Sequence, residues 1–256
     1  MAPCPTAAET AISIGNDRES QVTASGGAPE PTNDNRSSTS FRLGEDVLMG
    51  LRFYSRLPTG PAPHQPPVLN RIALALPFTS VIVGLGPALL LLALEWLRVP
   101  GFFAATLAVG AMVIASGAMS EDALADAADG LFGGQTAERR LEIMKDSRHG
   151  TYGVVAIGLL LLARVTAIGG LGTPLAAAGV LLTAPLVARS AALWLVVALP
   201  PARATGASAS VGRLRRETYF AGVGFAALLS LVLAGFAVGW LGLFLAAAFG
   251  AATVAG

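Results

Sequence analysis

Residues 72–94, IALALPFTSVIVGLGPALLLLAL, run for 23 positions without one ionisable side chain. About 20 such residues, at roughly 1.5 Å of rise each, cover the hydrocarbon core of a bilayer, so this stretch predicts a transmembrane helix. Four further windows read the same way: Gly101 to Met119, Val154 to Leu171, Pro174 to Leu199 and Phe220 to Trp240. A shorter sixth runs from Leu241 to Gly256. The expected fold class is therefore all-α, a polytopic transmembrane helical bundle of about five or six spans.

Composition agrees. The chain is 54% hydrophobic and only 13% charged, with a mean hydropathy of +0.64, whereas a water-soluble domain carries roughly 25% charged residues. A net charge of +1 with scattered basic residues implies no nucleic-acid partner; the partner implied is the lipid bilayer. The lone Cys4 offers neither a disulfide nor a metal cluster.

Loop charge gives an expected orientation, because cytoplasmic loops collect Lys and Arg. Arg42, Arg52, Arg56 and Arg71 precede the first window. Arg139, Arg140, Lys145 and Arg148 follow the second, and Arg203, Arg213, Arg215 and Arg216 follow the fourth. The opposing connections, at Arg98-Val99-Pro100, Gly172-Thr173 and Trp240, hold one basic residue between them. The alternation places the N-terminus and residues 121–150 together in the cytoplasm.

Residues 1–40 are rich in Ser, Thr, Pro, Gly and Asn and cannot bury enough apolar surface to offset ordering entropy; a disordered tail is expected there, with the membrane domain spanning 41–256. Phe41 to Leu57 mixes Leu48, Leu51, Phe53 and Tyr54 with Arg42, Arg52 and Arg56, the pattern of a basic amphipathic helix at the interface. The prolines of PTGPAPHQPP then make a connector without a helix.

The chemistry concentrates in residues 121–150, EDALADAADGLFGGQTAERRLEIMKDSRHG, which hold seven of the sixteen acidic residues and the single lysine. If the second span continues past Met119 as one helix, Asp122, Asp126 and Asp129 fall at i, i+4 and i+7 on one face. Like charges at that spacing repel, and carboxylates near a helix C-terminus face its negative end. A cation would relieve both. A few carboxylates that leave coordination positions for water and phosphate suit Mg²⁺, so these three aspartates are the expected metal ligands.

Gly130, Gly133 and Gly134 end that helix, and a second is expected from Thr136 as N-cap to about Asp146. Together they make a charged cytoplasmic helical hairpin. Glu138, Glu142, Lys145 and Asp146 share a face of the second helix, while Arg139, Arg140, Lys145 and Arg148 suit a phosphate-bearing substrate. The same residues also read as a solvated loop with ion pairs such as Glu142 with Arg139 or Lys145, and the isolated His149 needs no role in the chemistry. Arg164 and Arg189 fall inside the third and fourth windows, where a charge is costly unless it snorkels or faces the interior; both a topology anchor and a substrate contact are open.

The stretch from Ser116 to Val154, SGAMSEDALADAADGLFGGQTAERRLEIMKDSRHGTYGV, closely resembles the signature of the adenosylcobinamide-GDP ribazoletransferase family, also called cobalamin 5′-phosphate synthases. Phe53-Tyr54-Ser55-Arg56-Leu57-Pro58 is similar to that family's N-terminal F-x-T-R-x-P. The resemblance, from about residue 42 to the end, implies a multi-pass enzyme of the bacterial inner membrane with its active site facing the cytoplasm. It implies Mg²⁺-dependent transfer of phospho-cobinamide from adenosylcobinamide-GDP to α-ribazole or its 5′-phosphate, with GMP released. Under it, Asp122, Asp126 and Asp129 hold the metal, and Arg139, Lys145 and Arg148 contact substrate phosphate. Glu121 or Asp146 takes the hydroxyl proton.

Ser120 and Ala123 stand where the family pattern has His and Gly, and its C-terminal glycine-rich segment and last apolar helix are expected to be missing. Two other classes compete. A CDP-alcohol phosphotransferase would share only Asp126, Asp129 and Gly130 of its longer motif. An ion-conducting protein would want acids at mid-span and repeated halves, which the sequence does not display.

Overall fold

The computed structural model describes residues 42–60, 68–146, 148, 150–202 and 213–237. The expected tail over 1–40, most of the proline-rich connector, His149, Arg203 and the last apolar window lie outside them. Among the described residues the secondary structure is entirely helical: α1 Leu43–Tyr54, α2 Leu69–Trp96, α3 Gly101–Ser116, α4 Met119–Gly133, α5 Ala137–Ile143, α6 Thr151–Gly169, α7 Pro174–Ala192, α8 Trp194–Ala198 and α9 Arg216–Ala237. Four stretches are long and apolar enough to cross a membrane: Leu69–Trp96, Thr151–Gly169, Pro174–Ala198 and Arg216–Leu233. A fifth crossing results if the bent pair α3 and α4 is counted as one span. The chain is a multi-pass membrane protein.

The central helix is α2, packed against α1, α3, α7 and α9. Two buried apolar clusters lie along it. One joins Val83, Ala88 and Leu91 to Ala104, Ala105 and Ala108 of α3, Ile168 of α6 and Ala177, Ala178 and Leu181 of α7. Its alanines let backbones approach closely, the usual source of cohesion between helices in lipid. The other joins Leu69, Ile72, Ala73 and Leu76 to Leu193, Leu214 and Tyr219.

Pro77 lies within α2, so the Ala73 carbonyl, four residues earlier, lacks its helical donor. The backbone of α9 closes over that gap at Gly222, where a Cβ would fall 2.4 Å from the Ala73 oxygen. A glycine is required because any side chain would drive the helices apart. Helix α1 is tied to the bundle by an ion pair that the sequence reading did not contain: Arg71 Nε donates to Asp46 Oδ1 at 2.5 Å, and Asp46 is fully buried.

The second apolar window does not continue as one helix. It stops at Ser116, and Gly117 (φ 67°) and Ala118 (φ 56°) both take left-handed backbone. Ala118 N–H donates to the Val113 carbonyl at 2.9 Å and Gly117 N–H to that of Ile114 at 3.0 Å, the paired bonds of a Schellman C-cap. A new helix, α4, starts at Met119, turned 87° from α3. This corrects the expected electrostatics: Glu121 and Asp122 lie in the first turn of α4, where the helix dipole favours rather than opposes them.

Candidate active site

Helix α4 carries Asp122, Asp126 and Asp129 at the expected spacing, but their surroundings differ. Asp122 is exposed, Asp126 half-buried and Asp129 buried. Asp129 Oδ2 accepts from Gly150 N–H at 2.7 Å and its Oδ1 from Gly153 N–H at 2.9 Å. These amides open α6, whose N-cap is Gly150, a residue with no side chain to do the capping. A carboxylate from another helix thus satisfies the orphan donors and meets the positive end of the α6 dipole. The two glycines make the contact geometrically possible, since a Cβ at either would lie within 2.5 Å of an Asp129 oxygen. Among the described residues, no group of three or more His, Cys, Asp or Glu side chains is arranged to hold a metal ion.

Glu121 begins the same helix and is 4% exposed. Its Oε1 accepts from Arg164 of α6, while its Oε2 is buried with no hydrogen-bond partner among the described residues. Arg164, a costly charge inside an apolar window, therefore faces the bundle rather than lipid. Arg189 of α7 does the same: its Nη1 lies 3.5 Å from Ser80 Oγ and its guanidinium carbon 6.0 Å from the centroid of the Tyr54 ring. Burial pushes the Tyr54 phenol up from its ordinary value, and Arg189 pulls against that shift. Tyr54, Ser80 and the Arg189 contacts were absent from the sequence-derived site, because nothing in a linear pattern pairs α1 with α7.

Arg56 meets the α3–α4 bend. Its backbone N–H donates to the Ala115 carbonyl at 2.9 Å, and its side chain crosses the bend so closely that a Cβ on Gly117 would fall 2.7 Å from Arg56 Nε. The segment from Phe53 to Pro58 and the acidic helix, far apart in sequence, are thereby joined at the α3–α4 break.

The third part is α5 and its sequel. Thr136 is the N-cap, its hydroxyl accepting from Arg139 N–H at 3.3 Å. The helix ends at Ile143, earlier than expected, so Lys145 and Asp146 lie beyond it and do not share a helical face with Glu138. Gly130 and Gly134 allow the return of the chain over α4: Cβ atoms there would fall 2.6 Å from Met144 and from Arg140 side-chain atoms respectively. Arg140 Nε also holds the Gly134 carbonyl at 2.9 Å.

Of the candidate phosphate ligands, Arg139 pairs with Glu142 at 2.6 Å, the ion pair foreseen as the alternative reading. Arg148 Nη2 pairs with Asp146 Oδ2 at 2.8 Å; Lys145 is exposed. Asp146 Oδ1 also accepts from the Arg148 backbone and Nε, and hydrogen bonding from Arg148 holds its carboxyl below the usual range. This pairing is present at neutral pH and is lost only as pH falls through that lowered value.

The sequence profile of the family described as Cobalamin-5-phosphate synthase matches residues 46–255. A protein of Azorhizobium caulinodans named adenosylcobinamide-GDP ribazoletransferase is 45% identical over 178 residues, covering 67% of each chain. One of the same name from Xanthobacter autotrophicus is 42% identical over 203 residues, 75% of this chain and 76% of its own, and another from Rhizobium etli is 40% identical over 173 residues, 66% of each. No solved structure matches.

Proposed function

The chain belongs to the cobalamin-5-phosphate synthase family, and on that premise we propose that it transfers the phospho-cobinamide group of adenosylcobinamide-GDP to α-ribazole or α-ribazole 5′-phosphate. A ribazole hydroxyl oxygen forms a bond to the phosphorus attached to cobinamide, the bridging P–O bond breaks, and GMP leaves with the bridging oxygen. The products are adenosylcobalamin, or its 5′-phosphate, and GMP. The observation that supports this chemistry best is the buried, half-partnered Glu121 at the start of an acidic helix, against two interior arginines.

The two candidate bases differ in this respect. Both oxygens of Asp146 are engaged by Arg148, whereas Glu121 keeps Oε2 as an acceptor while Arg164 holds Oε1 and fixes the rotamer. Glu121 is the better group to take the hydroxyl proton. Asp122 and Asp126, one turn apart toward the exposed side of α4, are a donor set that suits Mg²⁺, an ion commonly held by one or two carboxylates together with substrate phosphates. Asp129, engaged with α6, supports that set from beneath. When bound, the ion would neutralise charge on the transferred group and leaving oxygen. Lys145, Arg139 and Arg148 line the exposed approach as phosphate contacts, the two arginines exchanging an intramolecular carboxylate for the substrate. The acidic helix faces the cytoplasm of a bacterial cell, from the inner membrane.

Membranes carrying the chain are given adenosylcobinamide-GDP, α-ribazole 5′-phosphate and Mg²⁺, and GMP is measured. Release should require both substrates and the metal, and Asp126→Asn or Asp122→Asn should lower it at least about a hundredfold, the scale of losing preorganised charge stabilisation, without preventing insertion. Unchanged turnover in both variants would remove the metal assignment; no release from well-inserted wild-type protein would remove the activity.

A further inference from the structure

We propose that Arg189, seconded by Arg164, is an interior anion site that holds a phosphate group of the nucleotide-activated substrate, separate from the exposed cations that follow α5. This deepens the proposed function and rests on it for the identity of the anion. A guanidinium presents five N–H donors in a fixed fork and stays protonated. Among the described residues Arg189 makes one long hydrogen bond, 3.5 Å to Ser80 Oγ, and lies over the Tyr54 ring. Among the described residues it has no ion-pair partner. Glu121 and Arg164 lie within electrostatic range of Arg189, so two cations and one carboxylate from three helices share one region of the interior.

The carboxylate is already taken by Arg164, leaving a net positive charge where Ser80 is 1% exposed and Glu121 4%. An unmatched cation among apolar spans is costly, and a phosphate oxygen pair is the geometric complement of a guanidinium fork. The position also suits the reaction. A phosphate on Arg189 would lie near Glu121, whose unpartnered Oε2 is the proton acceptor proposed for the attacking hydroxyl.

The test uses the full chain purified in phosphate-free detergent. Steady-state kinetics give KM for each substrate, and equilibrium dialysis gives the affinity for GDP as a non-reacting probe. Arg189→Met should weaken GDP binding and raise KM for adenosylcobinamide-GDP about tenfold or more, the loss of one charge-assisted contact, while KM for α-ribazole 5′-phosphate stays within about twofold. Arg189→Lys, which keeps the charge and loses the fork, should fall between, and it carries the test if the methionine variant does not fold. Equal changes in both KM values, or GDP affinity unaffected in both variants, would overturn the assignment.

The two readings separate cleanly. Turnover by the wild type with Arg189-independent GDP binding sinks this inference and leaves the function standing, while Arg189-dependent GDP binding without turnover does the reverse. Stabilisation by phosphatidylglycerol that needs Arg189, with no binding of GDP, would assign the site to a lipid headgroup and overturn the nucleotide reading.

Discussion

Asp129 shows how one residue can satisfy a sequence pattern and yet do a different job from its neighbours. Its two oxygens accept the Gly150 and Gly153 amides at 2.7 and 2.9 Å, so Asp129→Ala should lower stability by about 2–4 kcal/mol, the cost of leaving charge-assisted bonds unmade at a buried helix start. Asp129→Asn, which keeps one acceptor oxygen, should cost less. Thermal unfolding in detergent without Mg²⁺ would read both, and an unchanged midpoint with weakened Mg²⁺ dependence would return Asp129 to a purely metal-binding role. Gly153→Ala should do similar damage, because its Cβ would meet Asp129 Oδ2 at 2.4 Å and the Ala125 carbonyl at 3.0 Å. The shared face of Asp122, Asp126 and Asp129 was legible in the sequence, since helical spacing alone determines it. The partner of Asp129 was not, because Gly150 and Gly153 arrive more than twenty residues later and carry no side chain to announce an interaction.

Between elements, the decisive feature is the break that separates α3 from α4. Hydropathy windows average over Gly117 and Ala118, which do not interrupt the apolar window that ends at Met119, so the pattern predicted one helix. The signal that could have shown the break is a glycine at the place where apolar residues give way to charge, the usual C′ position of a Schellman cap. By contrast the Thr136 cap of α5 was legible, since Thr before a run of good helix formers has a local cause.

The break makes two opposite predictions at adjacent positions. Gly117→Val should destabilise, because a β-branched residue at φ 67° is strained and its Cβ would displace Arg56; turnover should fall with it if the Arg56 contact positions the bend. Ala118→Gly should be neutral or stabilising by up to about 1 kcal/mol, relieving a left-handed alanine at the expense of extra unfolded-state entropy. Parallel unfolding curves and rates would check both, and a destabilised Ala118→Gly would show that the cap geometry is not what sets the bend.

For the whole molecule, four of the apolar windows foretold helices long and apolar enough to cross a membrane, because burial in lipid demands nothing subtler than length and hydropathy. They leave open how the bent pair sits. If α3 and α4 together make one crossing, the residues after α4 emerge opposite the α2–α3 connection; if they form a re-entrant loop, they return to the same side. The basic residues after α4 favour a crossing, since Arg139, Arg140, Lys145 and Arg148 contrast with the single Arg98 on the other connection. Single cysteines placed at Leu97 and Gln135, both exposed, in a Cys4→Ser background, decide the matter in intact cells with a membrane-impermeant maleimide. Leu97→Cys should label from outside and Gln135→Cys only after the inner leaflet is opened. Labelling of both from outside would make α3–α4 a re-entrant loop and would place Glu121, Asp122 and Asp126 on the side away from cytoplasmic nucleotide. That result would remove the proposed cytoplasmic site along with the topology, whereas the crossing arrangement would put the acidic helix on the side of the basic loops, where the proposed reaction needs it.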